Sequence, residues 1–379
     1  MKIVLAIDSF KGCMTSSEAE NAAKQGILRA LGEADVVTVP ISDGGEGLTE
    51  TFIDILGMAK VSVTVSDPLG RKINASYGYD ASKKLAVMEM AAAAGLTLID
   101  EQDRNPMNTS SYGVGEMIAD AIHRGVREFI IGIGGSATND GGTGMLQALG
   151  FEFLDSGGRM VKTCGAGLKE IKTIRTANAI KELAECRFSV LCDVNNPLCG
   201  DLGCSKVFGP QKGLGENAIE LMDGWLWNYS ELVRKVFPET DKDFPGAGAA
   251  GGLGFALKSF LNAELIPGME KMMEISGLEE KIRSADLVVT GEGCLDSQSF
   301  MGKVPGAVAG AAKKYGKPVI AFAGMIKEED MLLDKGIDAM FPIAGNPMSM
   351  EEAMKAENAK RNMEMTVEQV FRVVGIKDT

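Results

Sequence analysis

The chain has 379 residues, 45% of them hydrophobic and 24% charged, which is enough apolar material for a sizeable core in a globular protein of about two or three domains. A formal net charge of −13 argues against nucleic acid or an anionic membrane surface as principal partner, while leaving room for a local basic pocket. Seven cysteines with no Cys-x-x-Cys pair fit reduced intracellular thiols, and a single histidine, His123, excludes a histidine-built metal site.

The N-terminus has five apolar residues, Ile3 to Ile7, before the carboxylate of Asp8, too few for a signal sequence. The longest apolar stretch, Met90 to Ile99, falls short of the ~20 residues that span a bilayer. The expected location is the cytoplasm. Ile3–Ile7 is short and β-branched and reads as a buried strand. The loop Asp8-Ser9-Phe10-Lys11-Gly12 follows, and Thr15-Ser16-Ser17-Glu18 is a capping box opening a helix to about Leu31. A strand at Val36–Val39, the acidic turn Asp43-Gly44-Gly45-Glu46-Gly47 and a helix at Thr49–Leu56 complete a βαβα opening.

The texture then changes. Val61–Val65 and Ile73–Tyr79 alternate apolar and polar around Asp67-Pro68-Leu69-Gly70-Arg71, predicting a hairpin. Leu85–Met88 is a strand, followed by an alanine-rich helix and a helical run Gly115–Arg124, where His123 complements the helix dipole. Phe129-Ile130-Ile131 leads into a segment, Ile131 to Gly144, in which six of fourteen residues are glycine. Met145–Leu149 reads as the next helix, so this loop lies at a strand-to-helix junction, where α/β sheets bind anions. Gly134 and Gly135 can bring backbone N–H groups close to a ligand, and Ser136, Asn139 and Asp140 add side-chain groups.

A strand at Phe188–Leu191 ends beside Asp193. The turn Phe208-Gly209-Pro210-Gln211-Lys212-Gly213 and the glycine-rich Gly246–Gly254 follow. Asp286–Thr290 is a strand, then a turn at Gly291-Glu292-Gly293 with Asp296 beyond it. The expected remainder is a helix at Lys303–Tyr315, a strand at Pro318–Phe322, a short helix at Glu328–Lys335, a strand at Ile337–Pro342 and a last helix at Thr366–Val373. This alternation predicts an α/β protein: a doubly wound, Rossmann-like parallel-sheet domain of residues 1–62 and 282–379, with a second α/β domain, 63–281, inserted and carrying the glycine-rich loops.

Gly132 to Ala137 fits G-x-G-x-x-A, with Glu152 about twenty residues on, and Gly246 to Gly251 fits G-x-G-x-x-G. The second follows no strand, and Asn139-Asp140-Gly141-Gly142 intrudes where the helix of the first should begin, so a dinucleotide site is disfavoured. There is no Walker P-loop and no protein-kinase catalytic loop. Phosphoryl transfer needs cations on the phosphates, carboxylates for Mg²⁺ and a group to take the proton. Lys11 and Lys212 are the candidate cations; Asp193, Glu292 and Asp296 are carboxylates at strand ends.

Seven segments, taken in order, resemble the type-1 glycerate kinase family: Asp8 to Gly12, Asp43 to Gly47, Ile131 to Gly150, Asp193 to Gly200, Phe208 to Gly213, Gly246 to Gly254 and Thr290 to Gly293. The resemblance covers essentially the whole chain. It implies a two-domain enzyme that transfers the γ-phosphoryl of ATP to D-glycerate with Mg²⁺, usually at the 2-hydroxyl, giving 2-phosphoglycerate. On that resemblance Lys11 and the loop containing Gly134, Gly135, Ser136, Asn139 and Asp140 bind phosphate or the glycerate carboxylate. Asp193 and Asp296 hold Mg²⁺ or accept the hydroxyl proton, Asp43, Gly44, Gly45 and Glu46 order the acceptor pocket, and Asp8, Ser9, Lys212 and Glu292 contact substrate or phosphate. Cys294 stands where the family usually has arginine, and Cys13 and Leu48 replace residues that are usually hydroxylated. The alternatives are a kinase for a related short hydroxy acid, or a non-catalytic organic-acid sensor of the same fold.

Overall fold

The computed structural model describes residues 1–42, 47–327, 332–345 and 347–376. The predicted turn residues Asp43, Gly44, Gly45 and Glu46 lie outside the described residues, as does the first half of the predicted helix at 328–335. In chain order the strands are β1 (Lys2–Ile7), β2 (Asp35–Thr38), β3 (Ala59–Ser66), β4 (Lys72–Asp80), β5 (Leu85–Glu89), β6 (Glu128–Gly132), β7 (Glu152–Leu154), β8 (Thr173–Arg175), β9 (Arg187–Leu191), β10 (Glu264–Ile266), β11 (Leu287–Leu295), β12 (Val319–Ile326) and β13 (Ala339–Pro342). The chain divides into two compact units, Met1–Asp43 with Gly268–Thr379, and Gly44–Pro267, the second inserted into the first.

The first unit is built on a five-stranded sheet in the order β13-β12-β11-β1-β2, parallel at every pairing. Such strands are covered on both faces, which is why Ile3 to Ile7 is an unbroken apolar run with no exposure. Ile3, Leu5 and Ile7 pack against Ala23 and Ile27 of the helix Ser16–Leu31 and against Met363, Val367 and Phe371 of the helix Ala356–Gly375. Those two helices touch at Gly26, where a Cβ would come within 2.5 Å of the Glu364 carbonyl. Helices Leu278–Arg283 and Val304–Lys314 pack against β1 and β11, so the sheet is doubly wound. The predicted capping box is present: Glu18 N donates to Thr15 Oγ1 at 3.2 Å, and Thr15 N to Glu18 Oε2 at 3.0 Å.

The chain leaves β1 first towards β2 and returns on the other side as β11. The gap between β1 and β11 is therefore the switch point of the sheet, where loops diverge and ligands bind beyond the strand C-termini. β11 runs on to Leu295, so Gly291-Glu292-Gly293 is strand and not the predicted turn. Close strand approach is what needs the glycines there: a Cβ on Gly291 would lie 2.1 Å from the Phe322 carbonyl, and one on Gly324 2.7 Å from that of Gly293.

The second unit has a six-stranded mixed sheet, β10-β9-β6-β5-β4-β3, with β5, β6, β9 and β10 parallel and β3-β4-β5 antiparallel. In the predicted hairpin, Asp67 Oδ1 accepts from Leu69 N and Arg71 N, each at 2.8 Å, closing the turn between β3 and β4. The small antiparallel pair β7-β8, the short β10 and the 21-residue helix Glu216–Val236 have no counterpart in the sequence reading. The unit boundaries also differ from the patterning at 62 and 281. Helix Leu48–Leu56 packs on β4 and β5 and so goes with the second unit, while Leu278–Arg283 packs on β1 and goes with the first. Among the described residues no helix is long and apolar enough to cross a membrane.

Candidate active site

A cavity of about 510 Å³ opens at the β1/β11 switch point, in the size range of small-molecule sites. The loop after β1 contributes Asp8, Ser9, Phe10, Lys11 and Cys13; the end of β11 contributes Glu292, Gly293, Cys294 and Asp296. Asp8 and Glu292 are buried at 5% and 7% exposure, whereas Lys11 is exposed. The loop is anchored by its backbone: Asp8 N donates to the Gly291 carbonyl at 2.9 Å, and Phe10 N to that of Met14 at 2.8 Å. Ser9 N donates to Asp8 Oδ1 at 2.7 Å. Asp296 caps the turn Ser297–Phe300 by accepting from Gln298 N at 2.9 Å through Oδ1. Five predicted site residues, Asp8, Ser9, Lys11, Glu292 and Asp296, thus converge on one cavity.

Two further cations line it. Lys303 Nζ lies 4.0 Å from Glu292 Oε2, and Lys327 follows β12. The sequence reading took Lys303 only as the start of a helix. Its position was informative nonetheless: it is the N-cap of Val304–Lys314, where a cation opposes the helix dipole and serves the helix badly. Cys13 and Cys294 both line the cavity; burial and nearby Glu18 push the Cys13 thiol up, away from thiolate at neutral pH.

The glycine-rich loop of the second unit is assembled differently. It follows β6 and ends at the helix Thr143–Ala148. Gly134 and Gly135 are exposed while Ser136 through Asp140 are buried, and Gly135 has φ +72°. Among the described residues no acceptor sits on the N–H groups of Gly134, Gly135 or Ser136, and successive free N–H groups in such a turn form an anion-binding concavity. Lys212, 3% exposed, lies beneath: its Nζ donates to Ser136 Oγ and to the Thr138 carbonyl, both at 2.7 Å. Burial pushes this ammonium down to about 8, against the pull of Cys204 and Asp140. Lys212 therefore reaches any ligand only through Ser136, whose hydroxyl accepts from the lysine and keeps its own proton to donate.

Asn139 and Asp140, predicted to contact substrate, have their side chains engaged inside the unit. Asp140 accepts from Ser111 N and Ser111 Oγ at 2.8 Å each, from Gly142 N at 3.0 Å and from Gly144 N at 3.3 Å; burial pushes its carboxyl up while these bonds oppose the shift. Asn139 Nδ2 donates to Ser205 Oγ at 2.8 Å, and its Oδ1 accepts from Cys204 Sγ at 3.2 Å. The excess of glycine has the same origin. A Cβ on Gly142 would lie 2.4 Å from Ala256 Cβ, one on Gly144 2.4 Å from Ser110 Oγ, and one on Gly251 2.1 Å from the Thr138 carbonyl. Gly141 N donates to the Gly251 carbonyl at 2.9 Å, so the two glycine-rich segments interlock backbone against backbone. Of the glycines predicted to meet a ligand, Gly134 and Gly135 are the exposed pair. Asp193 is exposed just beyond β9, the parallel neighbour of β6, so it lies at the same sheet edge as the Gly134-Gly135-Ser136 turn.

The glycerate kinase family model matches residues 3–375. The chain belongs to the glycerate kinase family. It is 44% identical over 373 residues to the glycerate 2-kinase of Escherichia coli K12, covering 97% of this chain and 98% of that one. It is 42% identical to the glycerate kinase of Haemophilus influenzae over the full length of both. A crystal structure from Salmonella typhimurium LT2, assigned as glycerate kinase 2, superposes with a TM-score of 0.89 at 42% identity, covering 100% of this chain and 99% of that one. As a member of this kinase family the protein is an enzyme that uses ATP as phosphoryl donor and takes a small-molecule acceptor.

Within this glycerate kinase fold the described residues hold no group of three or more His, Cys, Asp and Glu side chains arranged as a metal site. All seven cysteines are free thiols, as the spacing predicts.

Proposed function

We propose that the protein transfers the γ-phosphoryl of ATP to D-glycerate at its 2-hydroxyl, releasing ADP and 2-phosphoglycerate. The observation that carries the reading is the convergence of Lys11, Lys303 and Lys327 with Asp8, Glu292 and Asp296 in one cavity at the β1/β11 switch point. The glycerate kinases among its relatives supply the acceptor.

Magnesium fits this donor set: Mg²⁺ takes hard oxygen ligands, commonly one or two carboxylates completed by phosphate and water. Asp296 and Glu292, which line the same cavity, would hold the ion, with its remaining positions left to phosphate and water; when bound it neutralises charge on the transferring phosphates. Lys11 and Lys303 bind the phosphate chain and stabilise charge as it moves towards the leaving oxygen. In the second unit the N–H groups of exposed Gly134 and Gly135 and of Ser136 are the candidates for the glycerate carboxylate, and Asp193, at the same end of that sheet, is the candidate acceptor of the hydroxyl proton. One P–O bond to the β-phosphate breaks, one to the glycerate oxygen forms, and the proton resides on the carboxylate. Asp43 and Glu46 remain the proposed organisers of the acceptor pocket.

³¹P NMR of the purified protein with MgATP and D-glycerate tests this. Growth of the 2-phosphoglycerate resonance is expected. A 3-phosphoglycerate resonance would overturn the regiochemistry, turnover only on another short hydroxy acid would overturn the acceptor, and no turnover with any of them would favour the sensor.

A further inference from the structure

The cavity at the switch point is not uniform. Its charged residues come from the loop after β1, from the end of β11, from the N-cap of Val304–Lys314 and, beyond β12, from Lys327. Apart from Phe10, most of its apolar residues come from later segments: Met325 at the end of β12, Ile343 and Ala344 after β13, and Met350, Ala353 and Met354 around the helix Met350–Ala353. Because the order is β13-β12-β11-β1, the lining is mostly charged at the ends of β1 and β11 and mostly apolar beyond β12 and β13, with Lys327 the charged exception and Met354 reaching back to the loop after β1, 3.7 Å from where a Cβ on Gly12 would lie. Three of the lining methionines are partly exposed, Met325 at 39%, Met354 at 45% and Met350 at 61%.

D-Glycerate cannot account for the apolar half. Every carbon of that molecule carries oxygen, so it has no apolar face to offer methionine and isoleucine, and it is far smaller than the cavity. A purine nucleotide presents what the gradient asks for: a flat aromatic base at one end and a polyanionic chain at the other. Flexible methionine side chains pack well against aromatic rings. We propose that the adenosine of ATP lies over β12 and β13 against Met325, Met350 and Met354, with the triphosphate running towards Lys11 and Lys303. This rests on the kinase reading above and assigns the nucleotide to the first unit. Asn362, on the helix Ala356–Gly375, is the polar side chain of that apolar end; its Nδ2 faces Met348 Sδ at 3.6 Å, which leaves Oδ1 as acceptor for the adenine amino group. Guanine carries a carbonyl oxygen at that position and would lose the bond.

The test is a comparison of wild type with Met350→Gln/Met354→Gln, a neutral change at two exposed positions that should leave folding intact. The expected result is a rise of fivefold or more in KM for ATP and in the calorimetric Kd for MgADP. KM for D-glycerate, kcat at saturating ATP and inhibition by inorganic tripolyphosphate, which fills only the charged end, should stay within twofold. An unchanged Kd for MgADP in the variant overturns the placement while the kinase reading stands. Wild-type protein that binds no MgADP overturns both. Asn362→Ala should narrow the preference for ATP over GTP, and an unchanged preference would remove Asn362 from base recognition.

Discussion

The two glycine-marked regions, each proposed to hold an anion at the end of a parallel sheet, are built in opposite ways. In the first unit the site is a cavity bounded by side chains, with its main lysine exposed and its loop fixed by backbone bonds to β11. In the second, the exposed residues of the turn, Gly134 and Gly135, offer only backbone groups, and the charged side chains, Lys212 and Asp140, are buried underneath and hydrogen-bonded within the unit. On the proposed function, charge at the surface acts on the reaction, whereas charge in the interior acts on the fold. The difference is testable, because the same kind of mutation should register in activity in one unit and in stability in the other.

The largest effect expected is from Lys11→Ala, which should lower kcat/KM for phosphoryl transfer by roughly 10²–10³ with an unchanged urea midpoint. A variant that loses stability and keeps its turnover would break the comparison at its first term. Asp140→Ala strands Ser111 N, Ser111 Oγ and Gly142 N in the interior and should cost about 3–5 kcal/mol, read by equilibrium unfolding. A loss of activity at full stability would instead make Asp140 a ligand residue, as its motif suggested.

Lys212 sharpens the contrast through pH. Its folded value of about 8 lies below the ~10.4 of an unfolded lysine, so between those values the unfolded chain binds a proton that the folded chain lacks. Its contribution to stability must therefore rise with pH in that window, and below pH 8 the cost of burying the ammonium is present in full. From pH 8 to 9.5, wild type should gain roughly 2 kcal/mol relative to Lys212→Met in urea unfolding; a constant difference would place the ammonium in water. The smallest effect tests the exception in the first unit. Glu20 is 1% exposed, accepts from Ile7 N at 3.3 Å through Oε1, and has no partner for Oε2 among the described residues; burial pushes its carboxyl well above the usual range. The folded chain then holds a proton the unfolded chain has released, and stability falls as pH rises past ~4.3. Glu20→Gln should raise stability by about 1 kcal/mol at pH 7, with the gain vanishing near pH 4.

The sequence was most legible where local chemistry decides. The Thr15–Glu18 capping box, the Asp67–Arg71 hairpin and the uninterrupted strand Ile3–Ile7 are all set by neighbours a few residues away, and each is present. Lys11, Glu292 and Asp296 could be picked out because they sit at strand ends beside glycine, and Asp8 and Ser9 through the family resemblance; the fold brings all five to one cavity. Lys327 and the lining methionines were not legible, and Lys303 only through its odd N-cap position, since they come from three separate segments that only the order of the sheet aligns. The glycines at 141, 142, 144 and 251 misled for the complementary reason: a glycine needed for close backbone approach reads in sequence like one needed for a ligand.

By itself, then, the sequence determined the α/β class, the strand-end acids and lysines and the family, because periodicity, capping and motif order are properties of the chain. Only the tertiary structure decided where the units divide, which glycines are packed and which stay exposed, and that Lys212 and Asp140 are buried supports. Those outcomes depend on what lies across space from each residue, and burial sets whether a charge meets water, a ligand or the protein itself.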